Sequence, residues 1–242
     1  MTVQAKAGDV ITIRHAEVLD GDDLYVQNLR SAKQIIEYHC KDGEQTYSPR
    51  FTYMGFRYVK VEADFDIDAS AFTAVAIYSD MKETADFSCG VDEVNQLFKN
   101  ALWSMKGNFV DVPTDCPTRE KSGYSGDCQA YVYTAMYLMD CYPVYAKWIR
   151  EQAAGQYEDG VVPQIAPKCS PAGQKEKMFG NLNKDGGIGW SDSFEIVPFR
   201  LWKRYGDDEL LESEYQALKR WTEYEIQRAK KTRLVNKKIL PK

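Results

Sequence analysis

From Val10 to Met81 the hydrophobic and polar positions follow the pattern of short strands. VITIRHAEVL, Val10–Leu19, is rich in β-branched residues, and the Asp20-Gly21-Asp22-Asp23 cluster is a turn signal ahead of LYVQNL, so a hairpin is predicted there. RSAKQIIEYHC continues with mixed polarity, and Lys41–Glu44 supplies a second Asp-Gly turn. FTYMGFRYVKVEA then alternates over what reads as a long strand, and FTAVAIYSDM, Phe72–Met81, reads as one more. Short strands separated by turns predict part of an antiparallel sandwich.

At about Ser88 the period changes from 2 to 3.6. In DEVNQLFKNALWSMKGNF the apolar residues Val94, Leu97, Phe98, Leu102, Met105 and Phe109 recur every three and four positions, with Asp92 placed as N-cap. AYVYTAMYLMDCYPVYAKWIREQAA predicts a long helix, apolar on most sides and therefore buried between neighbours, bent or split at Pro143. Gln156–Gly189 is loop-like, and loops of that length are uncommon unless functional. DSFEIVPFRLWKRYG and DDELLESEYQALKRWTEYEIQRAKK predict two further helices, with Leu211, Tyr215 and Leu218 on the inner face of the second. Strands before helices imply a multidomain β-then-α chain with a boundary near residues 82 to 90. The divisions expected are 1–83 for the partial sandwich, 84–229 for the helices, and 230–242 for a basic, aperiodic tail read as solvated rather than as a partner-binding arm.

Composition narrows the function classes. The chain has 242 residues, 44% hydrophobic and 28% charged, which is a folded rather than a disordered balance. A formal net charge of -5 argues against a nucleic-acid or anionic-membrane partner. No segment approaches the roughly 20 apolar residues of a membrane span, and the N-terminus lacks the apolar run of a signal peptide, so the chain as written is expected in the cytoplasm. Six cysteines without a CxxC pair read as reduced, packed thiols, and no metal or cofactor is expected. Aromatic residues reach 13%, which suits core packing or a cleft where flat rings stack on sugars.

The densest chemistry lies in Asp111–Asp127, DVPTDCPTREKSGYSGD, between two helices. Glycoside hydrolysis needs one carboxylic acid to protonate the leaving oxygen and a second carboxylate for the water or the sugar carbon. Asp115, Glu120 and Asp127 stand five and seven positions apart, with Arg119 beside the glutamate and Tyr124 between. Arg119 could donate to hydroxyls in a fixed fork, and neighbouring aspartates are expected to raise the proton affinity of Glu120, as a general acid requires. The plainer alternative is that these acids cap helices, Asp111 and Asp127 above all, and pair with local Lys and Arg.

NFVDVPTDCPTREKSGYSGDCQ resembles the signature of the family 78 glycoside hydrolases, the bacterial α-L-rhamnosidases, in which an Asp-Cys-Pro-x-Arg-(Asp)-Glu run is followed by Gly-Trp-x-Gly-Asp. GDVITIRHAEVLDGDDLYVQNLRSAKQ and PRFTYMGFRYVKV resemble the β-sandwich that precedes the catalytic domain in that family, and GIGWSDSFEIVPFRLWKRYGD resembles its next barrel segment, so the resemblance covers residues 8 to 228. It implies that Glu120 is the general acid of an inverting mechanism on terminal α-L-rhamnosides. Asp115, Arg119 and Asp127 would hold the rhamnose hydroxyls, Tyr124 would stand where the family usually has tryptophan, and Trp190 with Asp192 would form another wall. Met54 stands where the family commonly has histidine.

The resemblance also implies a partial sandwich followed by part of an (α/α)6 barrel of the six-hairpin glycosidase type. About four of its twelve helices are expected here, and the family's general base lies beyond the segment. For relatives of full length the resemblance implies a periplasmic or secreted location as the alternative to the cytoplasm. A partial barrel leaves apolar faces uncovered, so the isolated chain is expected to be marginal or to form homo-oligomers through that surface. The alternative reading is a non-catalytic carbohydrate-binding or scaffold fragment. A polysaccharide lyase of the same barrel type is disfavoured, because both histidines, His15 and His39, fall in the β part.

Overall fold

The computed structural model describes residues 1–168 and 186–231. Residues 232–242, which hold most of the predicted basic tail, and the middle of the Gln156–Gly189 loop lie outside the described residues. The chain forms two compact units, one of Met1–Ile77 with Cys116–Lys121 and one of Tyr78–Asp115 with Ser122 onward.

Seven strands build the first unit: β1 (Thr2–Ala5), β2 (Val10–Ala16), β3 (Val18–Asp20), β4 (Asp23–Tyr25), β5 (Ile35–His39), β6 (Gly43–Thr46) and β7 (Tyr58–Ala63). All their pairings are antiparallel, in sheets ordered β5-β2-β7, β1-β6 and β3-β4. The period of two is visible in β2, where Ile11 and Ile13 are buried with Val3, Ala5 and Cys40 in a small core. Arg14 on the same strand is exposed and pairs with Glu62 of β7 at 3.1 Å. The predicted Asp-Gly hairpin joins β3 to β4.

The expected Lys41–Glu44 turn connects strands of different sheets, because β5 takes the edge of β2 while β6 takes β1. Two strand expectations are corrected. The long strand over FTYMGFRYVKVEA shrinks to β7, since the Gly55 N–H donates to the Pro117 carbonyl at 3.1 Å instead of to a neighbouring strand, and Phe51 turns the chain with a φ of 59°. Phe72–Met81 forms no strand: it joins no ladder, and the Ser79 N–H donates instead to the Phe109 carbonyl at 2.7 Å.

The second unit contains α1 (Asp92–Asn108), the short strands β8 (Phe109–Val110) and β9 (Val112–Pro113), and the helices α2 (Ser125–Leu138), α3 (Tyr142–Ala154), α4 (Ser193–Tyr205) and α5 (Glu209–Lys231). Asp92 is the first helical residue rather than the cap. Val91 holds the cap position, and the Asn95 amide closes the entrance by bonding both the N–H and the carbonyl of Cys89 at 2.8 Å. Phe98, Leu102, Met105 and Phe109 face inward as the period predicts, whereas Val94 and Leu97 are 40% and 65% exposed. The predicted long helix is split rather than bent. Pro143 lies in the first turn of α3, where its missing N–H is not needed.

Val132, Ala135, Met136, Trp148, Phe194 and Trp221 are buried together, each large side chain contributing on the order of 1.5–3 kcal/mol. On α5 the inward stripe runs through Leu210, Ala217 and Trp221, with Leu211 and Leu218 half-buried, and Tyr215 is exposed instead of inward. Ala217 and Trp221 stand four residues apart, on one face of the helix. Among the described residues no helix is long and apolar enough to cross a membrane.

Candidate active site

Asp115 closes the neck of the loop. Its N–H donates to the Ser122 carbonyl and its Oδ1 accepts the Ser122 N–H, both at 3.0 Å. The same residue and Asp127 line a cavity of about 360 Å³ in the helical unit, walled by Phe109, Tyr131 and Tyr145. Polar carboxylates at one side of an aromatic hollow can accept from sugar hydroxyls while rings cover the sugar's apolar face.

Neither aspartate expected as a possible cap serves as one. Asp111 sits in a tight reversal between β8 and β9 with a φ of 68°, and its carboxylate pairs with Lys147 at 3.0 Å. Asp127 lies in the first turn of α2, where the helix dipole favours a negative charge, while Tyr124 occupies the N-cap position. The Ser125 N–H donates to the Gln164 carbonyl at 2.9 Å, which fixes the start of the helix.

Trp190 and Asp192 belong to a turn held against this helix start. The indole lies on Gly126, and the Gln129 amide donates to the Gly189 carbonyl. Asp192 Oδ2 accepts the Gly189 N–H at 2.6 Å. Flanking Asp192, Ser191 and Ser193 are fully buried. Ser191 Oγ donates to the Val162 carbonyl at 2.8 Å and accepts the Gly186 N–H at 3.0 Å, and Ser193 bonds Gln152 at 3.1 Å. Glu225 of α5 adds a carboxyl to this group. Burial, the hydrogen bond with Asp192 and the charges of Asp192 and Glu195 push it up to about 7, against a lowering by Arg228. Sequence reasoning missed Gln152, Ser191, Ser193 and Glu225; alternation of Ser with Asp192 in WSDS was the only local signal, and Glu225 is brought in by helix packing.

Arg119 and Glu120 belong to the β-rich unit. Arg30 Nη1 lies 2.6 Å from Glu120 Oε1, the Cys116 thiol donates to Oε2 at 2.9 Å, and Arg119 Nε lies 3.4 Å from Oε2. The expectation of a raised proton affinity is corrected. Burial does push the carboxyl upward, but the thiol and backbone hydrogen bonds and the charges of Arg119 and Arg30 outweigh it and hold Glu120 below its ordinary value. Lys121, beside it, is pushed down by burial and donates to the Tyr53 carbonyl, its ammonium 4.8 Å from the Tyr53 ring centre.

Residues 82–239 match the family model for the bacterial alpha-L-rhamnosidase 6 hairpin glycosidase domain, and residues 1–78 match the bacterial alpha-L-rhamnosidase concanavalin-like domain. The chain belongs to the bacterial α-L-rhamnosidase family. Its fold class is accordingly antiparallel sheets followed by part of a six-hairpin glycosidase domain. It is 34% identical over 229 residues to an alpha-L-rhamnosidase of Formosa agariphila, covering 91% of this chain and 23% of that one. A crystal structure of the Streptomyces avermitilis alpha-L-rhamnosidase complexed with L-rhamnose superimposes with a TM-score of 0.81 at 35% identity, covering 92% of this chain and 21% of that one. The alpha-L-rhamnosidase of Dictyoglumus thermophilum gives a TM-score of 0.82 at 27% identity, covering 94% and 25%. The chain thus spans about a quarter or less of the length of these relatives.

Proposed function

We propose that this chain carries the acid-bearing part of a glycoside hydrolase that removes terminal α-L-rhamnose with inversion of configuration. The observation that carries the reading is the shared cavity of Asp115 and Asp127, in a chain of the rhamnosidase family. Glu120 is the general acid that protonates the glycosidic oxygen. Asp115, Arg119 and Asp127 accept from or donate to the rhamnose hydroxyls, and Tyr124 with Trp190 and Asp192 completes the sugar-binding surface. The general base comes from outside this segment. The substrate is a rhamnose-containing glycan or glycoside, and a relative complexed with L-rhamnose supports that class.

Release of an aryl leaving group from an α-L-rhamnoside tests the reading. Glu120→Gln is expected to abolish release while calorimetric binding of L-rhamnose persists; unchanged release would overturn the assignment of the acid. A second reading, a rhamnose-binding fragment without turnover, is favoured by one observation: Arg30, Arg119 and the Cys116 thiol hold Glu120 in the ionised form, which cannot donate a proton. Binding of L-rhamnose with no release by the unmodified chain would select it.

A further inference from the structure

Both oxygens of Glu120 are engaged by donors, and one donor comes from far away in sequence. Cys116 and Arg119 are local, within four residues, and share Oε2. Arg30 is 90 residues upstream, follows the short 3-10 turn Gln27–Leu29, and donates to Oε1 at 2.6 Å. Its backbone has a positive φ of 55° with a ψ of -115°, a sparsely populated conformation for a residue with a side chain. The turn is anchored by Leu29, which is 2% exposed, and by the Ala32 N–H to Leu29 carbonyl bond at 3.0 Å. The Arg30 side chain is 60% exposed, whereas that of Glu120 is 20% exposed.

We infer that Arg30 is a positioning residue for Glu120, fixing the carboxylate's orientation and setting the pH at which it takes up a proton. This rests on the reading of Glu120 as the general acid for its importance, but not for its physical content. A charge-assisted contact at 2.6 Å stabilises the ionised form over the protonated one, so the proton enters Glu120 only at lower pH or when a ligand displaces the guanidinium. The positive charges that act on Glu120 are Arg119 and Arg30, beside the hydrogen bonds of the Cys116 thiol and of the Glu120 N–H. Lysine at position 30 would keep the charge and lose the planar fork.

The test follows the Glu120 carboxyl carbon of the whole chain by 13C NMR across pH, with the resonance assigned from Glu120→Gln. Arg30→Gln is expected to shift the Glu120 midpoint upward, Arg30→Lys to restore most of the lowering, and Arg14→Gln, which removes a charge from the same unit at another ion pair, to leave it in place. An unchanged midpoint in Arg30→Gln, or an equal shift in Arg14→Gln, would overturn the inference. The measurement needs no turnover, so it separates from failure of the rhamnosidase reading, which aryl rhamnoside release reports. Circular dichroism of Arg30→Gln confirms that the shift is read in a folded chain.

Discussion

The Trp190 indole lies on the backbone of Gly126 so closely that a Cβ at position 126 would stand 2.8 Å from the ring. Trp190 is 44% exposed, so the ring can yield by turning outward rather than by disturbing the core. Gly126→Ala is therefore expected to lower stability by only about 1–2 kcal/mol, the lower part of the cost of overpacking. Its larger effect should be on the sugar surface. Calorimetry should show L-rhamnose affinity falling at least about tenfold, a loss of about 1.4 kcal/mol. Unchanged affinity would remove Trp190 from the proposed sugar site.

Gly123, three residues earlier, has no such outlet. A Cβ there would come within 2.1 Å of the Ala166 carbonyl oxygen and 2.8 Å of Trp148 Nε1, and that indole is fully buried while donating to the same carbonyl at 2.9 Å. Gly123→Ala should cost about 3 kcal/mol or more, read as a lowered urea midpoint, because backbone and a buried ring must both move. A stability loss no larger than that of Gly126→Ala would contradict this packing.

Glu225 predicts a pH dependence with a definite sign. Its folded-state proton affinity is raised from the ordinary 4.5 to about 7, chiefly by burial and then by Asp192 and Glu195. The folded chain therefore binds this proton more tightly than the unfolded chain does. The associated stability is fully present below about pH 4.5 and is lost as pH rises through about 7. Urea midpoints measured from pH 4.5 to 8 should fall across that window, and Glu225→Gln should flatten the slope. A slope unchanged in Glu225→Gln would assign it to other groups.

Apolar side chains left outward on the helices predict self-association. Leu97 and Trp103 of α1 are 65% and 58% exposed, and Phe199 and Trp202 of α4 are 47% and 39% exposed. Sedimentation of the chain should show mass rising with concentration, and Leu97→Glu with Phe199→Glu should shift it toward the monomer. A single monomeric species at all concentrations would count against uncovered faces.

Much of the local architecture was legible from periodicity. The alternation in β2 and the three-and-four spacing of Phe98, Leu102 and Met105 state directly which residues turn inward. The Asp115–Asp127 motif identified the family without coordinates. Where prediction failed, a partner was missing or present at long range. Phe72–Met81 has strand composition but joins no ladder, and Tyr215 fits the helical stripe by spacing but is exposed, while Trp221 on the same helix is fully buried.

The sequence by itself determined the order of strands and helices, the break at Pro143 and the residue types assembled around the acidic loop, because these depend on neighbours within a few positions. Tertiary structure decided the charge states. Glu120 was expected to be raised by nearby aspartates and is instead lowered, because the Cys116 thiol and backbone hydrogen bonds, then Arg119, and then Arg30 from 90 residues away outweigh the effect of burial. Glu225, unremarkable in its helix, is raised because packing sets it against Asp192. Electrostatic interactions fall off with distance through space, not along the chain, so the proton affinity of either carboxyl is fixed only when the fold brings its partners within reach.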